Sequence, residues 1–216
     1  MDSLFDLSGR VAVVVGGSSG LGREIAIGLA QHGADVIPVG RSRDSLTGVC
    51  QAIEKTGRKS ALLTADVSDR TSLEELHRAV IHNFNRVDIL VNAAGFTQRK
   101  ATASVSDTEW AAIFDTNLQG MLRTCQVFHS SLKQSGEGRI INIASLGSYV
   151  AFQEVAAYCA SKSAVLSLTR SLGCEWATEG ICVNAIAPSV FPTDLNRTLL
   201  DGTSRGREML VRTPMR

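Results

Sequence analysis

"VVVGGSSGLGREIA", residues 13–26, decides how this chain is read. It closes the apolar run "RVAVVVG" (10–16), which has the length and β-branched content of a buried strand. It opens "GREIAIGLAQHG" (22–33), whose apolar residues fall on one helical face. Between the two stand Gly16, Gly20 and Gly22. Glycine at such a junction permits a tight turn, close backbone approach to a pyrophosphate, and close packing of helix on strand. The free N–H groups that begin the helix add the positive dipole end that phosphates prefer. The spacing is G-x-x-x-G-x-G rather than G-x-G-x-x-G, and no Gly-Lys-Ser/Thr follows as in a nucleotide-hydrolysing loop.

The same alternation continues outward. "ADVIPVG" (34–40), "SALLTAD" (60–66), "DILVNAAG" (88–95), "GRIINIAS" (138–145) and "ICVNAIAP" (181–188) read as strands two to six. Helical periodicity fills the intervals, with the longest segments around 106–134 and 156–178. Near-continuous Val/Ile/Leu strands imply burial on both faces, as in a parallel sheet covered by helices. Right-handed crossovers then give a doubly wound (Rossmann) α/β fold. A length of 216 residues with no internal repeat or linker suits a single domain over 1–216.

Composition excludes several classes of function. Hydrophobic residues make up 44% and charged residues 20%, and a formal net charge of +1 gives no electrostatic case for nucleic acid. Cys50, Cys125, Cys159, Cys174 and Cys182 are odd in number without a C-x-x-C pair, so reduced thiols fit better than disulfides or a zinc site. The histidines are scattered, and no metal site is expected. "MDSLFDLSGR" (1–10) has two acids and no apolar core, unlike a secretory signal, and no stretch reaches the length of a membrane span. The expectation is a soluble cytoplasmic protein.

Ligands of doubly wound folds bind outside the carboxyl ends of the strands, so those ends carry the functional reading. In the first loop Gly16, Ser18, Ser19, Gly20, Leu21 and Gly22 are candidates for holding a dinucleotide. The second strand ends in Gly40–Arg41, where a carboxylate would bind ribose hydroxyls and repel an added phosphate. Arginine there favours a 2′-phosphate, so NADP(H) is preferred and NAD(H) remains compatible. A solvated surface arginine is the plain alternative. Asp66–Val67 ends the third strand, either to bind an adenine edge or with Asp66 capping the next helix. In "AAYCASKSAVLSLTR" (156–170), Tyr158 and Lys162 lie one helical turn apart. A nearby positive charge lowers a phenol's pKa and makes it a usable acid or base, although both tips could equally snorkel to water.

Taken in order, Gly16–Gly22, Asp66–Val67, Asn92–Ala93–Ala94–Gly95, Asn117, Ser145, Tyr158-x-x-x-Lys162 and Pro188–Thr193 resemble the short-chain dehydrogenase/reductase family over essentially the whole chain. The resemblance implies an oxidoreductase that moves hydride between NAD(P) and a secondary alcohol or ketone. It makes Tyr158 the general acid or base, and has Lys162 bind the nicotinamide ribose and, with the positive ring of the oxidised cofactor, depress the phenol's pKa. It has Ser145 hydrogen-bond the substrate oxygen, and Asn117 interrupt its helix to hold a water that links Lys162 to solvent. It adds Asn92, Ala93, Ala94, Gly95, Pro188, Val190 and Thr193 to the cofactor contacts. Three positions depart from the family pattern: Val15 replaces threonine, Ala93 replaces asparagine, and Ser189 replaces a glycine, which requires that its backbone avoid positive φ.

"FDLSGRVAVVVGG" (5–17), "GFTQRKA" (95–101), "FPTDLNRTLL" (191–200) and "RTPMR" (212–216) are most similar to gluconate 5-dehydrogenase-type members. A 3-oxoacyl-[acyl-carrier-protein] reductase shares the catalytic residues and is the alternative enzyme. A non-catalytic NADP-binding sensor is the alternative from another class, opposed by the intact Asn117, Ser145, Tyr158 and Lys162. The family continues through a further helix and edge strand where this sequence stops at 216, leaving an expected sixth strand as an open edge. Residues 193–216 are expected to form a flap on the substrate side, carrying Arg197, Arg205, Arg207, Arg212 and Arg216. With Arg99 and Lys100 they suggest a small anionic substrate. Leu166, Leu168, Leu172 and Trp176 exceed what one sheet face needs, and with the family's habit of pairing its two long helices they suggest a homodimer or homotetramer.

Overall fold

β1 (Val11–Val15) shows why the strands read as unbroken apolar runs: all five residues are buried. Successive side chains of a strand face opposite ways. Val11, Val13 and Val15 pack in one core layer, and Ala12 and Val14 in another. The computed structural model describes residues 3–191 and 203–211. In it β1, β2 (Asp35–Gly40), β3 (Leu63–Thr64), β4 (Ile89–Asn92), β5 (Arg139–Ile143) and β6 (Cys182–Ile186) form one sheet. The order is β3-β2-β1-β4-β5-β6, and every pairing is parallel. This is the doubly wound arrangement the sequence implies.

Helices α1 (Gly20–Gln31), α2 (Arg43–Glu54), α3 (Arg70–Phe84), α4 (Asp107–Phe114), α5 (Gly120–Gln134), α6 (Ala156–Trp176) and α7 (Ser204–Val211) complete the described elements. One core layer joins the sheet to α3, α5 and α6 through Leu73, Phe128, Leu132, Val165 and Trp176. The other is built of smaller residues, with Ala26 and Ala30 of α1 against Ala12 and Val14, so α1 can sit close to the sheet. At the end of the sheet opposite the glycine loop, Asp88 is 1% exposed. It accepts hydrogen bonds from Val11 N at 2.9 Å and from Arg86 at 2.6 and 2.9 Å, which ties β1 to the start of β4. Strand order reverses between β1 and β4, and the loops leaving their carboxyl ends therefore diverge to leave a crevice.

Several expectations need correction. The third strand shrinks from 60–66 to two residues, because it pairs only with β2 and only over Leu63 and Thr64. Leu172 and Trp176 are not surplus: both are buried in the chain's own core, and Leu166 and Leu168 pack against it. The long helix over 106–134 carries a π-helical turn at Asp115–Gln119, which is the interruption expected at Asn117. The expected flap, including Thr193, Arg197, Arg212 and Arg216, falls largely outside the described residues, with only α7 and Thr203 within them. All five cysteines are free thiols. Among the described residues no helix is long and apolar enough to cross a membrane, and no cluster of potential metal ligands occurs.

Candidate active site

A cleft of about 530 Å³ opens at the carboxyl ends of β1, β2, β4 and β5. Its floor is the glycine loop. Gly16 has φ +84°, and a Cβ there would run into the backbone of Ala93 and Ala94 at the end of β4. A Cβ at Gly22 would strike the carbonyl of Gly16. Gly40 admits the Ser18 side chain, since its own Cβ would lie 2.9 Å from Ser18 Oγ. Ser19 is the N-cap of α1 but makes no side-chain cap, so the first-turn N–H groups face the cleft without a hydroxyl partner from that residue. Such a cradle fits a dinucleotide pyrophosphate: backbone donors, a helix N-terminus, and room that any side chain would fill.

Gly16, Ser18, Ser19, Gly20, Leu21, Gly22, Arg41, Asp66, Val67, Ala93, Ala94, Gly95, Ser145, Tyr158, Lys162 and Pro188 all line this cleft, as the sequence leads one to expect. Arg41 is exposed immediately after β2 and makes no ion pair among the described residues. It is close enough to Asp66 to help hold that carboxyl below its usual range, behind the larger effect of hydrogen bonds from Ser68. Asp66 accepts from the Ser68 N–H and hydroxyl at 2.9 and 2.7 Å, and α3 is capped instead by Asp69 through Thr71 N. The capping alternative for Asp66 is therefore overturned. Ser189 also lines the cleft, and positive φ at non-glycine residues occurs among the described residues only at Asn85 and Glu154, so serine is accommodated without strain.

Tyr158 and Lys162 project from the first turns of α6, with Lys162 Nζ 5.9 Å from the centre of the phenol ring. Lys162 is 4% exposed and donates to the Ile143 carbonyl at 2.6 Å. Burial lowers its pKa to about 8. Without a carboxylate partner among the described residues, its remaining N–H donors suit uncharged oxygens such as ribose hydroxyls. The expected depression of the phenol involves Lys162 together with the positive ring of the oxidised cofactor, and the protein's own groups set the point from which it acts. Burial raises the Tyr158 pKa, and the opposing pull is a hydrogen bond from the Ser145 side chain. Ser145 Oγ also accepts from Gly147 N at 3.1 Å, so this residue is at once a turn cap and a partner of the phenol.

Asn117 explains the π-helical turn. It is fully buried, and its amide grips the backbone of Phe96, accepting from Phe96 N at 2.9 Å and donating to Phe96 O at 3.0 Å and Ser161 Oγ at 3.1 Å. π-Bulges of this kind recur at functional sites. A Cβ at Gly95 would approach both Asn117 Oδ1 (3.1 Å) and Lys162 Nζ (3.4 Å), so glycine lets the end of β4 sit against both. Asn117 thus supports the cleft wall from behind, and its side-chain amide is engaged with protein groups.

Two further expected contacts are not brought to the cleft. Asn92 points into the core, donating to Asn142 Oδ1 at 2.9 Å and to Cys125 Sγ at 3.3 Å, because the alternation of β4 places its side chain inside. Val190 is half-buried and lies outside the lining. Arg99 and Lys100 do not serve the cleft either: Arg99 pairs with Glu154 at 2.6 Å, and Lys100 with Glu109 at 2.8 Å. Residues the sequence reading missed are Phe96, Thr97, Thr116 and Phe191, which line the cleft. The first two directly follow Gly95, and that adjacency was the available signal.

Sheet order and glycine cradle together define a dinucleotide-binding α/β protein. Comparison with known proteins narrows the class: the short chain dehydrogenase family profile matches residues 10–203, and the chain belongs to that family. It is an oxidoreductase acting on CH–OH groups with a nicotinamide dinucleotide. A 2-dehydro-3-deoxy-D-gluconate 5-dehydrogenase of Dickeya dadantii is 37% identical over 97% of this chain and 83% of its own length. A 3beta-hydroxysteroid dehydrogenase of Mediterraneibacter gnavus is 34% identical over 86% of this chain and 67% of its own. A crystal structure of a gluconate 5-dehydrogenase from Burkholderia cenocepacia in complex with NADP and tartrate superposes with a TM-score of 0.92. It is 31% identical, over 97% of this chain and 82% of that one.

Proposed function

We propose that the protein interconverts a secondary alcohol and its ketone with NADP(H), and that its substrate is a sugar acid or the corresponding keto acid. The convergence of Tyr158, Ser145 and Lys162 on one cleft beside the glycine cradle carries this reading. The bound nicotinamide supplies or accepts the hydride. Tyr158 exchanges the proton at the substrate oxygen, donating it to the nascent alkoxide in reduction and accepting it from the hydroxyl in oxidation. Ser145 turns its single O–H from the phenol to the same oxygen when substrate binds, and stabilises its developing charge. Lys162, buried without a counter-ion among the described residues, binds ribose hydroxyls. Gly16 to Gly22 would hold the pyrophosphate, Arg41 would pair with a 2′-phosphate, and Asp66 and Val67 would contact the adenine.

Similarity to sugar-acid dehydrogenases supports the substrate class, and so does the carboxylic acid tartrate in one of them. The segment 193–216 is proposed as the substrate flap. Assembly as a homodimer or homotetramer is proposed through α4, where Trp110 is 40% exposed and stacks on Phe114 with ring centres 5.2 Å apart. The test of function is a panel read by NADPH absorbance, containing sugar acids with their keto forms, uncharged polyols, simple ketones and acyl thioesters. Saturable turnover of sugar acids above the rest is expected. A preference for uncharged ketones would overturn the substrate class, and turnover of none with either dinucleotide would overturn the enzyme reading.

A further inference from the structure

Ser148 lies outside the cleft lining, yet its hydroxyl joins the two elements that carry the reactive groups. It accepts from the Ser145 N–H at 3.3 Å and donates to the main-chain carbonyl of Lys162 at 2.8 Å. Ser148 N in turn donates to the Ser145 carbonyl at 2.9 Å, closing the short 3-10 turn Leu146–Ser148. On the outer side, Ser163 Oγ donates to the Ser148 carbonyl at 3.1 Å. Lys162 is consequently held at both ends, its carbonyl by Ser148 and its ammonium by the Ile143 carbonyl two residues before Ser145. A ring of contacts runs from the end of β5 through Ser145 and Ser148 to α6 and back.

We propose that Ser148 is a positioning residue: its hydroxyl sets the distance between Ser145 and the α6 turn bearing Tyr158 and Lys162. Apolar packing alone would leave this junction loose. Gly147 is pressed against the helix, since a Cβ there would lie 3.0 Å from Cys159 Sγ, but packing resists approach and does not fix direction. Hydrogen bonds do fix it, and a reacting geometry tolerates little error. Without the Ser148 hydroxyl, the Ser145 N–H and the 145–148 turn relax away from α6. The hydrogen bond from Ser145 to the phenol then lengthens, and with it the influence that opposes burial at Tyr158. The other ionisable groups facing that phenol among the described residues are Lys162 and Cys159, both on α6 itself, and they move with it.

This rests on the assignment of Tyr158 as the proton-exchanging group, and the experiment separates the two. The chain has two tyrosines, so a Tyr149→Phe background leaves Tyr158 as the sole phenol. Tyrosinate absorbance is read within milliseconds of a pH jump, so that folded protein is titrated, with no substrate needed. Ser148→Ala is expected to move the midpoint upward by about half a unit, the size of one weakened hydrogen bond. Ser148→Thr, which keeps the hydroxyl, is expected to restore it, and Ser163→Ala to leave it in place. Should Ser148→Ala not fold, Ser148→Cys, a much weaker donor of similar size, is expected to show the same shift. A midpoint unchanged in Ser148→Ala, or in Ser148→Cys in its stead, overturns the proposal. So does a shift that Ser148→Thr fails to reverse. Retained turnover in Tyr158→Phe would instead overturn the underlying assignment, whatever the titration gives.

Discussion

Gly16→Ala, in the loop that follows β1, and Gly28→Ala, within α1, add the same methyl with opposite expected signs. At Gly16 the backbone has φ +84°, a conformation that costs an alanine about 1–2 kcal/mol. Its Cβ would also stand 2.6 Å from Ala93 C and 2.7 Å from Ala94 Cα. Those atoms are backbone and cannot rotate away, so β4's end must shift, adding about 1–3 kcal/mol of overpacking. At Gly28, within α1, an added Cβ meets nothing within 4 Å. There alanine gains helix propensity, about 0.5–1 kcal/mol. Urea unfolding of the two variants is therefore expected to bracket the parent, with Gly16→Ala lower by about 2–5 kcal/mol overall. Because the displaced Ala93–Ala94 backbone and the glycine loop both line the cleft, NADPH binding should weaken at least about tenfold in Gly16→Ala and stay unchanged in Gly28→Ala. A Gly16→Ala protein with parental stability and parental NADPH affinity would refute the cradle.

Cofactor choice and the buried lysine give two more tests. Arg41→Asp is expected to reverse a preference for NADPH over NADH, followed by fluorescence titration of both; equal affinities in the parent would contradict the role of Arg41. Lys162, lowered to about 8 from an ordinary 10.5, costs stability while it is charged and buried. An unfolded chain binds that proton more tightly, so the penalty is complete below about pH 8 and is relieved as pH rises toward 10.5. Cys125, Cys50 and Tyr158, whose folded pKa values burial raises, lose stability in the same window, so the test is the difference between parent and Lys162→Met. Cofactor-free parent should gain stability relative to Lys162→Met from about pH 8 toward 10.5, and Lys162→Met should melt higher at neutral pH. A parent-minus-variant difference that does not change with pH would contradict a buried charged lysine.

The strands and the glycine junction were legible because burial on both faces leaves a one-dimensional trace: five successive buried residues in β1 can only be apolar. The cleft lining was legible where it lies at strand ends, as at Arg41, Asp66 and Ser145, and in the one-turn spacing of Tyr158 and Lys162 on α6. It was not legible where a partner from elsewhere settles a side chain's fate. Arg99 and Lys100 look like free cations beside the cleft until Glu154 and Glu109 fold against them. Asn92 belongs to a motif that lines the cleft, but the alternation of β4 turns that one residue to Asn142. The break in the helix at Asn117 was expected from the family resemblance, but its physical cause, the amide binding Phe96 across 21 residues, is one that no local propensity encodes. At Tyr158 the spacing to Lys162 shows proximity and says nothing of desolvation, which raises the phenol's pKa in the protein itself.

Tyr158→Phe tests the central claim most directly, since it removes one hydroxyl and keeps the ring that packs beside Lys162. Steady-state turnover with the best substrate of the panel should fall by roughly 10²–10⁴-fold, the usual contribution of a positioned acid or base. NADPH affinity, measured on the same preparation, should stay within about twofold, because the glycine loop and Lys162 remain in place. Turnover within a few-fold of the parent would mean that another group moves the proton, and the site would have been assigned to the wrong residue.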